Sequence, residues 1–125
     1  MKIETLIYDK VKPIIPTESD KTVFFASITQ TSYEVFFYAL IDGNPVQCYE
    51  LAEESKLDEN ELDSVFAAIV DIIKESKFFH DDNNNVVTIT VDKSGIKMDV
   101  EYYEKDARMY KIKKEWEQKM FEVQC

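Results

Sequence analysis

Hydrophobic positions recur along this chain with two different periods. Over residues 2–12, Ile3, Leu6, Ile7, Tyr8 and Val11 return at helical spacing, and Pro13 and Pro16 end the pattern. Residues 22–30 (TVFFASITQ) and 33–41 (YEVFFYALI) are rich in β-branched and aromatic residues and predict strands. The second of these is apolar on both pleat faces, as in a strand covered on both sides. Asp42-Gly43-Asn44 is a hairpin turn signal, and residues 46–51 (VQCYEL) predict the returning strand. The helical period then resumes. Asp58 and Glu61 form a capping-box-like pair, and Leu62, Val65, Phe66, Ile69, Ile72 and Ile73 mark one apolar stripe, so a helix is expected over about 59–77. Residues 80–85 (HDDNNN) predict a polar loop. Residues 86–92 and 96–103 alternate strictly on either side of a Lys93-Ser94-Gly95 turn. Val87, Ile89 and Val91 should share a face with Ile96, Met98, Val100 and Tyr102, and the other face should carry Thr88, Thr90, Lys97, Asp99, Glu101 and Tyr103. Asp106 is placed to cap a last helix whose Met109, Ile112, Trp116 and Met120 lie on one stripe.

The predicted fold class is α+β: an antiparallel sheet in α-βββ-α-ββ-α order with helices packed on its apolar face or faces. A length of 125 residues predicts a single domain over 1–125 with one modest core. Phe24, Phe25, Phe36, Phe37, Tyr38 and Trp116 are expected as core or helix–sheet contacts. The opening residues carry acids inside their apolar stretch and lack a small-residue cleavage site, so no signal peptide is expected. No run approaches the roughly 20 apolar residues of a membrane span.

Charge changes the picture most. The chain has 25 acidic and 15 basic side chains, a net charge of −10. Phosphate backbones and anionic membranes need clustered Lys and Arg, so nucleic acid and membrane partners are not expected. A basic protein partner suits this field, because complementary charge speeds encounter and rejects wrong partners. The distribution is uneven: residues 50–82 hold 11 acids against three lysines, and residues 105–125 hold six basic residues against four acids.

Candidate chemistry is thin. Nucleophilic catalysis needs Ser or Cys beside a base, and His80 is the only histidine, with no Cys or Ser tied to it by spacing. Asp99 and Glu101 project to one face, but on an open sheet both would stay ionised rather than divide into acid and base. The Asp81–Asn85 run lacks the glycine and distal glutamate of a calcium loop. No phosphate-binding loop, CxxC or HExxH motif occurs. The two cysteines, Cys48 and Cys125, lack the spacing of a disulfide framework or metal site. They predict a reducing, cytoplasmic setting, with Cys48 a small strand residue and Cys125 an exposed tail thiol. No enzyme, cofactor or metal is expected. Tyr103 differs from the other aromatics: it lies on the polar side of its strand beside Asp99 and Glu101, a combination that gives an interface a rigid ring and fixed charges.

The run TITVDKSGIKMDVEYYE, then Tyr110, then KEWEQK, resembles the C-terminal half of the YezG-like antitoxins, immunity proteins of bacterial polymorphic toxin systems. The resemblance falls on Thr88, Thr90, Gly95, Asp99, Glu101, Tyr103, Tyr110, Trp116, Glu117 and Lys119. Two features depart from the family pattern: the acidic loop before the last helix is compressed to EKDAR, and the Asn run stands where members often carry Trp-Thr. The resemblance implies a cytoplasmic, non-catalytic protein that binds and neutralises a cognate toxin domain, often a nuclease. Nucleases must be basic to hold phosphates, and Asp99, Glu101, Tyr103, Glu104 and Asp106 are the expected partner contact. A second reading stays open. The element order, size and acidity also look like type III secretion chaperones, which hold effector segments as dimers, and the central helix stripe could serve as core or as dimer face.

Overall fold

The computed structural model describes residues 2–54 and 58–121, with the side chain of Phe121 outside the description. Cys125 therefore lies outside the described residues. Helix α1 (Ile3–Val11) buries Ile7 and Val11, one turn apart, and Pro13 converts its end into a 3-10 turn over Lys12–Ile14. Strands β1 (Lys21–Ile28), β2 (Tyr33–Ile41) and β3 (Asn44–Gln47) follow. A short helix α2 (Cys48–Glu53), the long helix α3 (Glu59–Lys74), strands β4 (Asn83–Asp92) and β5 (Gly95–Glu104) and helix α4 (Met109–Phe121) complete the chain. The expected α-βββ-α-ββ-α order holds, with α2 added.

Among the described residues, five strands form one antiparallel sheet in the order β3-β2-β1-β4-β5. β1 is central and buried on both faces, which its continuous apolar run required. Strict pleat alternation and the ladder registers sort the core into two layers. Phe24, Ala26, Val35, Phe37, Val87 and Ile89 face α1 and α3, whose Ile7, Leu62, Phe66, Ile69 and Ile73 are buried. Phe37 meets Phe66 edge-on, with ring centroids 6.4 Å apart. Phe25, Phe36 and Thr88 face α4, where Ile112 and Trp116 are buried. Cross-strand pairs Phe24–Phe37 and Phe25–Phe36, 5.0 and 4.9 Å between centroids, hold β1 against β2 on the two faces.

Local chemistry sets the ends of the elements. Asp42 (φ 54°) and Gly43 (φ 80°) both take left-handed backbone in the β2–β3 turn, the conformation an Asp-Gly hairpin favours. Asp58 caps α3 by accepting from the Asn60 N–H at 2.8 Å. That helix ends at Lys74 rather than near 77, and Ser76 Oγ donates to the Ile73 carbonyl at 2.6 Å.

Three expectations are corrected. The returning strand stops at Gln47, and Cys48 begins α2 instead of lying in a strand. Cys48 and Leu51, three residues apart, are both buried, a spacing that one helical turn satisfies and a strand does not. Asn83–Asn85 are strand residues, not loop: buried Asn84 accepts from Ser27 Oγ, and buried Asn85 donates to the Ile28 carbonyl. The last helix begins at Met109, beyond Asp106: a turn closed by Ala107 N–H to the Glu104 carbonyl, 3.0 Å, separates Asp106 from the first helical residue.

Candidate partner-binding surface

Helix α4 lies across the sheet face that carries Thr88, Asp99, Glu101 and Tyr103. Its anchor is Trp116. The indole Nε1 donates to Thr88 Oγ1 at 2.9 Å, and the ring packs edge-on to Phe25 and Phe36 at 5.2 and 5.9 Å between centroids. The indole N–H finds its acceptor in the buried threonine hydroxyl, so a strand position polar in sequence becomes a helix contact. Around this anchor, Lys113 Nζ pairs with Glu34 at 2.7 Å, Lys119 Nζ with Glu101 at 3.5 Å, and the Tyr38 hydroxyl donates to Glu117 at 3.2 Å. Burial, reinforced by the Glu117 carboxylate, pushes the Tyr38 phenol up to about 12.

The residues singled out from sequence lie along β5 and the turn that follows it. Asp99 is exposed opposite Thr88, and Glu101 is exposed opposite Val86. Tyr103, half-buried, donates its hydroxyl to Glu101 Oε2 at 2.9 Å, and burial followed by that carboxylate raises its phenol above the ordinary value. Asp99, Glu101 and Tyr103 thus form one row on the α4 side. Glu104, exposed at the strand end, has the opposite pleat parity, and Asp106 is exposed in the turn. The acids of α3 belong to another surface: Glu59, Glu61, Asp63 and Asp71 are exposed on a helix that packs against the opposite face of the sheet.

A tyrosine-rimmed region escaped the sequence reading. Tyr33, Glu34, Val35, Tyr49, Asp63 and Phe66 line an open cleft of about 460 Å³ between β2, α2 and α3. A second cleft, of about 390 Å³, is lined by Glu34, Met109, Tyr110, Lys113 and Glu117, so Glu34 borders both. Tyr110 is 75 % exposed despite its place on α4. Tyr49 joins this region only because residues 48–53 turn into a helix, which alternation in the sequence did not announce.

The histidine and the described cysteine have structural surroundings. His80 stacks flat on Tyr102, with centroids 3.9 Å apart and planes within 7°, while the Tyr102 hydroxyl donates to the Phe78 carbonyl at 2.6 Å. Cys48 is buried, and burial pushes its thiol up to about 11, opposite to the activation of a nucleophile. Among the described residues no group of three or more His, Cys, Asp or Glu is placed to hold a metal. No helix among them is long and apolar enough to cross a membrane.

The family model described as immunity protein, YezG-like, matches residues 2–124. The chain belongs to the YezG-like immunity protein family. The match reaches from before α1 to beyond α4, so all the elements described above are part of the family's module. Comparison with curated proteins gives no match.

Proposed function

We propose that the protein is a non-catalytic, cytoplasmic immunity protein that binds and neutralises a basic toxin domain, a nuclease. The observation that carries this reading is the family match over residues 2–124. The physics supports it. A nuclease surface must be basic to hold phosphates, and a chain of net charge −10 is complementary to it. The contact assigned to this chain is Asp99, Glu101, Tyr103, Glu104 and Asp106. In that role Tyr103 supplies rigid area, the hydroxyl bond to Glu101 fixes that carboxylate, and the flanking acids steer the partner.

The chaperone reading left the α3 stripe open as core or as dimer face. Leu62, Phe66, Ile69 and Ile73 are buried beneath the protein's own sheet, so the α3 stripe is core and is not offered to another chain.

The test is co-expression of the tagged protein with its native neighbouring genes, followed by capture and mass spectrometry. A stoichiometric basic toxin domain is expected. An effector held through an extended segment, or no partner, would remove the reading. Asp99→Lys with Glu101→Lys should then weaken toxin affinity by about tenfold or more. Unchanged affinity and unchanged protection of toxin-expressing cells would refute the residue assignment.

A further inference from the structure

The two edges of the sheet are built differently. At one edge β3 is four residues long, contains Pro45 and runs directly into α2. Short length and proline are common ways to blunt an edge against further pairing. At the other edge β5 runs for ten residues without proline. The two-residue Lys93–Ser94 turn closes on Asp92 and Gly95, so the hydrogen-bonded pairs of the β4–β5 ladder fall on Thr90↔Lys97, Thr88↔Asp99 and Val86↔Glu101. Odd-numbered residues of β5 therefore direct their backbone groups to β4. Ile96, Met98, Val100 and Tyr102 direct theirs outward, and among the described residues no backbone group bonds to them.

The side chains of this edge are also distinctive. Ile96, Met98 and Val100 are half-buried on the α1 side, so part of each apolar surface remains uncovered. Lys97 and Asp99 are exposed on the α4 side, two positions apart and opposite in sign. Neither forms an ion pair among the described residues.

We propose that two copies of this chain pair antiparallel through their β5 edges, about a two-fold axis at Met98, joining their sheets into one. Charge and overlap together select the register, since centring on Ile96 or Tyr102 pairs Asp99 only with lysines outside the strand. Centred on Met98, each Lys97 faces the other copy's Asp99, and Ile96 faces Val100. Gly95 falls opposite Glu101 and leaves that carboxylate uncovered. Centring on Lys97 or Asp99 would set a like pair on the axis, and centring on Val100 would oppose Asp99 to Glu101. The Lys97–Asp99 positions are the non-hydrogen-bonded ones, where facing side chains come closest. The even-numbered residues bond across the seam, which is what their outward backbone groups require. The net charge of −10 opposes association at long range, but at physiological salt its reach is about 8 Å. The assembly is isologous and closed, so the free edges are consumed and no fibre propagates. It does not require the toxin reading, and Lys97→Asp is the variant that separates the two. Asp99 is common to both surfaces, whereas Lys97 belongs to the pairing alone.

Sedimentation equilibrium of the full chain should give twice its 14.7 kDa mass. Lys97→Asp and Asp99→Lys should each weaken the dimer by about tenfold, and the two together should restore it. Met98→Pro removes an outward N–H that the β4 ladder does not use and should abolish dimerisation while far-UV circular dichroism stays unchanged. A monomer at every concentration overturns the proposal. So does a dimer whose strength ignores both single charge reversals.

Discussion

Asn85 shows how a single side chain can organise a junction. It is fully buried, its Oδ1 accepts from the His80 N–H at 2.8 Å, and its Nδ2 lies 3.0 and 2.9 Å from the carbonyls of Ile28 and His80. It ties the end of β1 to the segment entering β4. Beside it, Asn84 accepts from Ser27 Oγ at 2.8 Å. No buried side-chain polar atom of the described residues lacks a partner. Asn85→Leu keeps the approximate volume but strips partners from buried backbone groups. It should cost about 3 kcal/mol, read as a lowered urea midpoint at constant slope. Asn85→Ser should recover part of the loss, and a neutral Asn85→Leu would show that water replaces the amide. From sequence alone, three consecutive asparagines read as loop because asparagine is depleted in strands. Ser27 and Ile28, which bond Asn84 and Asn85, lie 57 residues away, a distance that no local pattern contains.

At the scale of elements, α4 is held by one aromatic anchor and a ring of charge pairs. Lys113–Glu34 and Lys119–Glu101 are exposed pairs of the kind that contribute about 0–1 kcal/mol each. Trp116 outweighs them: it is buried and bonds the otherwise buried Thr88 hydroxyl. Trp116→Phe retains most of the ring area but orphans Thr88, and it should destabilise by about 2 kcal/mol. Trp116→Phe with Thr88→Val should recover part of that loss, because both halves of the polar pair are then gone. A double mutant as unstable as the sum of its parts would show that packing, not the hydrogen bond, carries the anchor. Both residues were legible in sequence as members of periodic stripes, but Thr88 read as the wet side of a strand. Alternation identifies two faces; it does not say that a helix 28 residues later will cover the polar one.

For the whole molecule, the tyrosines make stability sensitive to alkali. The Tyr38 phenol is pushed up to about 12, and those of Tyr49 and Tyr103 are raised above the ordinary value, burial being the largest cause in each. A tyrosine in the unfolded chain ionises near 10, so above that pH the unfolded state loses protons that the folded state retains. Stability should be level with respect to these groups up to pH about 10 and should fall as pH rises towards 12. Urea midpoints measured across this range should decline, and Tyr38→Phe should make the decline shallower. A wild-type midpoint that rises between pH 10 and 12 would contradict the assignment. The tyrosines concerned are partly exposed, so solvent screening reduces the effect.

The sequence by itself determined the order of the elements other than α2, the partition of β4 and β5 into an apolar and a polar face, and the α3 stripe. Each is written in local periodicity or short spacing, and nearest-neighbour sterics and burial suffice to enforce it. The tertiary structure alone decided that Cys48–Glu53 is a helix, that Asn84 and Asn85 are interior, and that the acids of α3 and the row Asp99–Glu101–Tyr103 lie on opposite sides of the sheet. It also left β5, and not β3, as the long open edge. The physical reason is common to these: each depends on which distant segment arrives to cover a surface or satisfy a buried polar group, and that partner is fixed by strand order and helix placement rather than by neighbours in the chain.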